Sequence, residues 1–469
     1  MRAPPRPAFI WRFNVKYRRT IFPIFALIPF VALAIPQKQE DPIPDFAAFA
    51  GEYRLASGGW VTITRMGITK QLAKPLFVDW QTGRFGNLSA AGKDRFVSPG
   101  PNGPESPWQT EILFSRDPNG VIEALTITEK GGEARSAQRA NTFTEKEVSF
   151  ANGPVVLSGT LRMPGGKGPF PAIVLVHGSG PGERQQYSVM ASFFSRLGLA
   201  ALAYDKRGCG SSTGDWKKVD LEDLAADALA GVKWLQTQPG IDSRRVGLWG
   251  ISQGGWITPL AAAMEPAAPA FVINSSGPGT SLRRQDTFMM SNTLRFQGMG
   301  PEDIDFAITA LNTLYDFGRG RATAETLDGI TEKLRAHPKL KILALPPARE
   351  ISPEKMYARQ AIGDPAWFFH LNPDRDALGP YRRLRCPLLV TYGRLDYTVP
   401  VEESVRLINE ALKEARHPDY EVQILEHAGH GFASMTVGQP PSPVQPGRIS
   451  PEFFDTMEKW LRSRKFTLP

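Results

Sequence analysis

Cysteine is scarce in this chain of 469 residues, where only Cys209 and Cys386 occur. Cys209 follows a predicted strand that ends at Asp205, and Cys386 precedes a predicted strand at Pro387–Tyr392. In a parallel sheet these two positions lie at opposite edges, too far apart for the geometry of a disulfide bond. We therefore predict two free thiols without a catalytic role, which excludes a fold held together by disulfides.

A basic surface is also missing once the N-terminus is set aside. The net charge is +8, but residues 1–34 contain six Arg and Lys residues and no acidic residue, which leaves +2 for the rest of the chain. Proteins that bind nucleic acid carry clustered positive charge, so nucleic acid is not an expected partner. The hydrophobic content of 42% and the charged content of 22% are typical of a soluble globular protein.

The apolar run near the N-terminus is too short for an ordinary membrane span. This run, Ile21–Ala34, has 14 residues and contains two prolines, whereas a spanning helix needs about 20 residues. It follows the basic pair Arg18-Arg19 and ends in small residues, a pattern typical of a cleavable secretory signal. We predict a signal peptide at residues 1–34, a Pro-rich linker at residues 35–45 and an exported protein, periplasmic or extracellular, without a stable membrane anchor.

The length of the chain favours two domains, and the pattern of residues changes near Thr144. Residues 46–143 contain short alternating runs separated by Gly-rich breaks, with a hairpin turn at Asp117-Pro118-Asn119-Gly120. This pattern predicts a small antiparallel β domain, either a barrel or a sandwich. It contains no cluster of His, Cys, Asp and Glu, so we assign no chemistry to it.

Residues 144–469 alternate strand and helix patterns. Phe170–Val176 is a run of buried-strand residues and Leu221–Gln236 has the spacing of an amphipathic helix. Strands separated by helices predict an α/β domain with a mainly parallel sheet and helices on both faces. Residues 281–380 are mostly helical in pattern, and we predict that they form a cap inserted into this domain.

Ser252 is the predicted nucleophile. It lies in Gly250-Ile251-Ser252-Gln253-Gly254, a Gly-x-Ser-x-Gly motif that follows a predicted strand and precedes a predicted helix, as a nucleophile elbow requires. The helix that follows directs backbone N–H groups toward a developing negative charge. A second Gly-x-Ser-x-Gly motif surrounds Ser212, but no helix pattern follows it, so we interpret Ser212 as a loop residue.

A serine nucleophile needs a general base, and that base needs an orienting acid. Asp396 follows the predicted strand Leu388–Tyr392, and His430 lies beyond the predicted strand Glu421–Leu425. The order serine, acid, histidine, each after a strand, is the order that a nucleophile elbow predicts. We favour His430 as the base because glycines flank it. His427 is the other candidate, but its position close to the strand end favours a structural role.

Two backbone N–H groups are predicted to form the oxyanion hole. One belongs to Gln253, the residue after the nucleophile. The other is assigned to Ser179, in the Gly-rich loop that follows Phe170–Val176. We interpret His177 in the same loop as a buried residue that holds the turn rather than as a base.

Together these motifs resemble the α/β-hydrolase superfamily across residues 147–465. The resemblance rests on His177-Gly178-Ser179-Gly180-Pro181, Tyr204-Asp205-Lys206-Arg207-Gly208, Gly250–Gly254, Asp396 and His430-Gly431-Phe432. The chain is similar to bacterial carboxylesterases with an N-terminal β domain, to prolyl-oligopeptidase-like hydrolases and to acyl-CoA thioesterase relatives. The resemblance implies serine-dependent hydrolysis of an acyl group without a metal or an organic cofactor. It departs from the prolyl-oligopeptidase pattern because residues 46–141 are too few for a seven-bladed propeller.

We therefore expect an exported serine esterase that acts on a small-molecule ester through an acyl-enzyme. An aminopeptidase or amidase is one alternative, with Glu302 and Asp303 in the cap as candidate anchors for a free amino group. An acyl thioesterase is another. A non-catalytic binding protein on the same scaffold is a fourth possibility, which the intact serine, acid and histidine order disfavours. The sequence predicts no particular oligomeric state.

Overall fold

A computed structural model describes residues 46–99, 108–344, 347–351, 372–431, 433–435 and 444–468. The predicted signal peptide at residues 1–34, the predicted linker at residues 35–45 and Phe432 lie outside these ranges. The predicted fold class is confirmed, since an antiparallel N-terminal sheet precedes a mainly parallel sheet with helices on both of its faces.

The N-terminal sheet has nine antiparallel strands and bends back on itself. The strands are β1 (Gly51–Leu55), β2 (Trp60–Met66), β3 (Lys74–Asp79), β4 (Phe85–Asn87), β5 (Ser89–Ala90), β6 (Arg95–Pro99), β7 (Trp108–Arg116), β8 (Ile122–Glu129) and β9 (Ala134–Ala140). Their order, β4-β3-β2-β1-β9-β8-β7-β6-β5, begins and ends with strands that only Leu88 separates in the chain. The two edges therefore meet, and the sheet is a barrel rather than a sandwich.

Alternating side chains fill the interior of this barrel. Val61 and Ile63 on β2 and Ile112 on β7 are buried in one apolar cluster with Tyr53 and Phe96. The predicted hairpin turn joins β7 to β8, with the N–H of Asp117 donating to the carbonyl of Val121 at 2.8 Å.

The second sheet has eight strands and carries the site. The strands are β10 (Phe143–Asn152), β11 (Val155–Pro164), β12 (Phe170–Val176), β13 (Ala200–Tyr204), β14 (Ile241–Ile251), β15 (Val272–Ser275), β16 (Leu388–Gly393) and β17 (Tyr420–Leu425). Their order is β10-β11-β13-β12-β14-β15-β16-β17, and the pairs from β13 to β17 are all parallel. Strand β14 includes a polar start before its buried part, and this start pairs with β12 through a register shift.

Helices cover both faces of this sheet. The described α-helices are α1 (Ser188–Arg196), α2 (Leu221–Gln236), α3 (Gln253–Met264), α4 (Leu282–Phe296), α5 (Pro301–Gly318), α6 (Ala324–Ala336), α7 (Gly379–Arg383), α8 (Val401–Glu414) and α9 (Pro451–Ser463). On β12, Ala172 and Val174 pack toward α2 and α3, whereas Ile173 and Leu175 pack toward α1 and α9. Burial on both faces explains the continuous apolar run of this strand. None of the described helices is long and apolar enough to cross a membrane.

The barrel packs against the α1 and α9 side of the second sheet. The Trp80 ring stacks on Phe193 of α1 with centroids 6.1 Å apart and meets Phe454 of α9 edge-on at 4.8 Å. A short antiparallel strand pair, β18 (Ala433–Met435) with β19 (Val444–Ile449), contacts the barrel through a hydrogen bond from the Ile449 N–H to the Gly83 carbonyl. Cys209 and Cys386 are both buried and both free.

Candidate active site

Ser252 occupies a strained turn between β14 and α3. Its φ is +57° and its ψ is −117°, a backbone conformation that L-residues rarely adopt. The turn is held from both sides, because the Ser252 N–H donates to the Ser275 carbonyl at 3.0 Å and the Ser252 carbonyl accepts from the Gly255 N–H at 2.9 Å. The arrangement presents Ser252 at the carboxyl edge of the sheet, where the loops that follow β12, β16 and β17 also lie.

The two motif glycines allow this turn to pack closely. A β-carbon on Gly250 would lie 2.3 Å from the carbonyl oxygen of Gly254. A β-carbon on Gly254 would lie 2.5 Å from the carbonyl oxygen of Val176, at the end of β12. Helix α3 therefore begins directly against the neighbouring strand. Its first residue, Gln253, has an N–H without an acceptor inside the helix.

Asp396 and His430 form a hydrogen-bonded pair beyond β16 and β17. The Asp396 Oδ2 lies 2.7 Å from Nδ1 of His430. The other carboxylate oxygen accepts from the N–H groups of Thr398 at 2.7 Å and Val399 at 3.1 Å, which hold the carboxylate in place. Both side chains are largely buried, so the pair is shielded from bulk water.

The second ring nitrogen of His430 faces inward and is unused. Its Nε2 is buried and has no hydrogen-bond partner among the residues that the structure describes. Ser252 therefore does not donate to it in this conformation. The two loops nevertheless meet, because a β-carbon on Gly431 would lie 3.3 Å from Cδ1 of Ile251, the residue before Ser252. Such contacts are often longer in ligand-free enzymes than during reaction.

The loop after β12 flanks Ser252 on its other side. A β-carbon on Gly178 would lie 3.8 Å from Cβ of Ser252, so Ser179 also lies close to the elbow. The Gly178 N–H donates to the Tyr187 hydroxyl at 2.8 Å. His177 is buried between Tyr187 and Tyr204, and burial, together with the nearby charge of Lys206, lowers the pKa of His177 to about 3. Because His177 stays neutral and packs against both rings, we interpret it as a residue that holds the turn rather than as a base.

Lys206 is buried at this site, and no sequence pattern predicts a role for it. Its Nζ donates to the carbonyls of Gly178 at 2.7 Å and Gly180 at 2.8 Å, and to the Gln253 side-chain oxygen at 3.2 Å. The only sequence signal is the Tyr-Asp-Lys-Arg-Gly segment that contains it. A lysine in a loop ordinarily extends into solvent, so its burial here is not predictable from its residue type.

The neighbours of Lys206 brace the loop. Asp205 accepts from the Arg184 side chain and from the N–H of Ser211 at 3.0 Å. Burial alone would raise the pKa of Asp205, but the hydrogen bonds from Arg184 and Ser211 lower it overall. Arg207 pairs with Asp227 of α2 at 2.7 Å.

Ser212 and His427, the serine and histidine that we did not assign to the triad, both bind to other residues. The Ser212 hydroxyl donates to the Asp205 carbonyl at 2.6 Å and accepts from the Ser158 N–H at 2.9 Å. His427 has 76% of its side chain exposed, against 7% for His430, and its Nδ1 pairs with Glu452 at 2.6 Å. Both side chains therefore have partners outside the proposed triad.

The cap covers the loop that carries Asp396. The Asn292 side chain in α4 donates to the Tyr397 carbonyl at 3.0 Å, and the Phe296 ring meets Tyr397 edge-on at 5.8 Å. Arg284 forms an ion pair with Glu403 of α8 at 2.8 Å. Helix α4 therefore packs against the loop that carries Asp396 and against the start of α8.

Comparison with known proteins identifies several relatives. Residues 173–441 match the model of the alpha/beta hydrolase family. Esterase EstD of Thermotoga maritima is 25% identical over 328 residues, which are 68% of this chain and 68% of EstD. Thiohydrolase aneE of Aspergillus aculeatus is 34% identical over 123 residues, or 26% of this chain and 37% of that protein. A solved structure, the Pyrococcus furiosus esterase Pf2001, has a TM-score of 0.42 and 20% identity over 68% of this chain and 91% of its own.

Proposed function

Because this chain belongs to the alpha/beta hydrolase family and is a hydrolase, we propose that it cleaves small-molecule carboxylic esters through an acyl-enzyme. In this proposal Ser252 is the nucleophile, His430 is the general base and Asp396 is the orienting acid. The observation that carries the proposal is the 2.7 Å bond between His430 and Asp396, beside a turn that holds Ser252 at a φ of +57°. The name of the relative EstD supports esters as the substrate class.

The first step forms a bond between Ser252 Oγ and the ester carbonyl carbon. Nε2 of His430 takes the hydroxyl proton as this bond forms, and its unpartnered state supports that role. Asp396 keeps the proton on Nδ1 and stabilises the imidazolium. The carbonyl oxygen becomes an oxyanion, which accepts from the N–H groups of Gln253 and Ser179.

The tetrahedral intermediate then breaks down to the acyl-enzyme, which water hydrolyses in a second step. The bond from carbon to the alcohol oxygen breaks, and the alcohol leaves with the proton held by His430. A water molecule attacks the acyl-enzyme while His430 takes one of its protons, and Ser252 regains its proton as the carboxylic acid departs. The sum of these steps is one ester and one water converted to an acid and an alcohol.

Thioester hydrolysis is the second candidate. The relative aneE is named a thiohydrolase, although this chain spans only 37% of its length. The same groups would act, with a thiol as the leaving group. The aminopeptidase alternative has weaker support, because Asp303 already pairs with Lys339 at 2.7 Å and with His337 at 3.3 Å.

Export is also part of the proposal. The basic segment and apolar run of residues 1–34 support a cleaved signal peptide and an exported protein, periplasmic or extracellular. N-terminal sequencing of the protein recovered from the exported fraction of its producing cell tests this directly. Recovery of an intact N-terminus from the cytoplasmic fraction alone would contradict it.

The activity assay compares three substrate classes. Wild type and Ser252→Ala are tested with p-nitrophenyl acetate and butyrate, with a butyryl thioester and with aminoacyl nitroanilides, and both are probed with a fluorophosphonate. We expect ester turnover and fluorophosphonate labelling in the wild type only. Ester turnover that survives Ser252→Ala would contradict the assigned nucleophile. A wild type that neither turns over any substrate nor becomes labelled would favour a binding protein.

A further inference from the structure

Lys206 is a buried cation whose hydrogen-bond acceptors are all neutral oxygens. Only 2% of the residue is exposed, and it follows β13 at the carboxyl edge of the second sheet. An ammonium group has three N–H donors, and the three oxygens of Gly178, Gly180 and Gln253 match that number. Among the described residues, no carboxylate lies within 4.0 Å of Nζ. Burying a charge without a counter-ion is costly. The three oxygens compensate that cost together with the ring of Trp216, whose centroid lies 5.5 Å from Nζ.

Those three oxygens belong to the two segments that flank the proposed oxyanion hole. Gly178 and Gly180 lie on either side of Ser179, and Gln253 is the residue whose N–H is the other proposed donor. One ammonium group therefore ties the loop after β12 to the first residue of α3. The Gly178 N–H donates separately to the Tyr187 hydroxyl at 2.8 Å. The N–H group that Lys206 can orient in this loop is therefore that of Ser179.

The bond to Gly178 acts on the Ser179 N–H through a single peptide group. The carbonyl of Gly178 and the N–H of Ser179 are the two ends of one planar amide, and in a trans amide they point in opposite directions. A cation that holds the carbonyl on one side therefore aims the N–H away from itself. It also polarises the amide, which makes the N–H a stronger donor in a site of low dielectric.

We propose that Lys206 is a positioning residue for the oxyanion hole, which aims and polarises the Ser179 N–H and couples it to Gln253. This proposal rests on the proposed serine mechanism. Lys206 does not touch the substrate. Its effect falls on the transition state, because the oxyanion forms only there.

Protonation of Lys206 links this role to pH. Burial lowers the pKa of Lys206 to about 8, so the ammonium is present at neutral pH and is lost above that value. The charged and titratable groups that face it are His177 from the loop after β12, Asp205, Arg207 and Cys209 from its own loop, and Asp227 from α2. Burial raises the pKa of Cys209, and His177 is already neutral above about pH 4. Neither group accounts for a change near pH 8.

The first experiment compares kcat and KM for p-nitrophenyl butyrate in wild type, Lys206→Met and Lys206→Arg at pH 7.5. A displaced donor typically costs up to about 100-fold in rate, so we expect Lys206→Met to lower kcat by about 10- to 100-fold with a much smaller change in KM. Arg162→Met is the matched control, since Arg162 is a buried cation that pairs with Glu145 away from Ser252. It should keep the wild-type kcat. A wild-type kcat in Lys206→Met, or a loss confined to KM, would overturn the proposal.

The second experiment needs no variant that removes the charge. The kcat of the wild type is followed from pH 6 to pH 10, and we expect it to fall as the pH passes about 8. In Lys206→Arg this fall should move to higher pH, because a guanidinium stays protonated. A wild-type kcat that is flat to pH 10, or an unchanged alkaline limb in Lys206→Arg, would overturn the proposal even if Lys206→Met does not fold.

Fluorophosphonate labelling separates this proposal from the proposed function. Wild type without ester turnover and without labelling contradicts the serine mechanism itself. Wild type that is active and labelled, beside a Lys206→Met protein that is equally fast, contradicts only the role of Lys206. If fluorophosphonate labels Ser252 more slowly in Lys206→Met than in wild type, but still to completion, the role of Lys206 is supported. In that case the nucleophile is intact and only the stabilisation of the oxyanion is reduced.

Discussion

Asp396 holds His430 through one carboxylate oxygen while its own loop holds the other. Oδ2 lies 2.7 Å from Nδ1 of His430, and Oδ1 accepts from the N–H groups of Thr398 and Val399. The orientation of the imidazole is therefore set by a carboxylate that is itself immobilised by its backbone.

Asp396→Asn should abolish most activity without unfolding the protein. An amide oxygen can still accept from Thr398 and Val399, so the loop is expected to persist, but the amide cannot stabilise an imidazolium or select the required tautomer of His430. We expect kcat for p-nitrophenyl butyrate to fall by about 10⁴-fold. The thermal midpoint, measured in parallel, should change by only a few degrees. Retention of more than a tenth of the wild-type kcat would remove Asp396 from the mechanism.

The two histidines after β17 provide a matched comparison. His430→Ala should reduce activity to near the level of Ser252→Ala, since both changes disable the same unit. His427→Ala should leave kcat and KM near wild type, because that side chain is exposed and pairs with Glu452. Steady-state kinetics on the two variants show which histidine is the general base. Loss of activity in His427→Ala alone would reverse the assignment.

The two Gly-x-Ser-x-Gly serines form a second matched pair. Ser252→Ala should lower kcat by about 10⁶-fold, and fluorophosphonate labelling should disappear. Ser212→Ala should keep the activity but lose about 1–3 kcal/mol of unfolding free energy, because the Ser158 N–H and the Asp205 carbonyl lose a buried partner. Kinetics and urea denaturation of both variants test this. Normal stability in Ser212→Ala would contradict the structural role.

Two helical glycines should respond in opposite directions to alanine. Gly254→Ala places a β-carbon 2.5 Å from the Val176 carbonyl oxygen, so α3 must shift and the turn at Ser252 must move with it. We expect a loss of both stability and kcat. Gly329→Ala in α6 has no atom within 4 Å of the new carbon and should stabilise the protein by about 0.5–1 kcal/mol. Thermal midpoints and kcat values report both effects, and equal behaviour of the two variants would be inconsistent with this packing.

The cap contains a buried acid whose protonation should affect its stability. Asp286 in α4 is hydrogen-bonded to the Tyr315 hydroxyl in α5, and burial raises the pKa of Asp286 to about 7. In the unfolded chain this pKa returns to its ordinary value near 4, so unfolding releases a proton between about pH 4 and 7. Stability from this group is present below that window and is lost as the pH rises through about 7.

Urea denaturation of wild type and Asp286→Asn between pH 5 and pH 8 measures this loss. The unfolding free energy of the wild type relative to Asp286→Asn should fall by up to about 1.4 kcal/mol per pH unit up to pH 7. Asp303→Asn is the control, because a hydrogen bond from Lys339 lowers the pKa of Asp303, which then does not titrate in this range. Parallel pH profiles for wild type and Asp286→Asn would rule out a buried, titrating Asp286.

Much of the fold was predictable because its signals are local. The continuous apolar run of Phe170–Val176 predicted a strand buried on both faces, and the amphipathic spacing of Leu221–Gln236 predicted α2 with its observed bounds. Asp117 and Gly120 predicted a hairpin turn, which the structure contains. The choice between a barrel and a sandwich was left open, because it depends on whether the edges formed by β4 and β5 meet.

Less of the candidate site was predictable, because its contacts join distant parts of the chain. The motif around Ser252 and the positions of Asp396 and His430 after strands were readable from the sequence. That His430, rather than His427, meets Asp396 depends on how the loop after β17 folds back over the loop after β16.

The sequence by itself determined the order of strands and helices and the residue types available at the carboxyl edge of the sheet, since hydrophobic periodicity and glycine placement act over a few residues. Only the tertiary structure decided the environment of Lys206. Its burial and its three oxygen partners come from β13, the loop after β12 and α3, which are separated by 26 to 47 positions in the chain. Solvation and charge depend on that three-dimensional enclosure, and no local pattern encodes it.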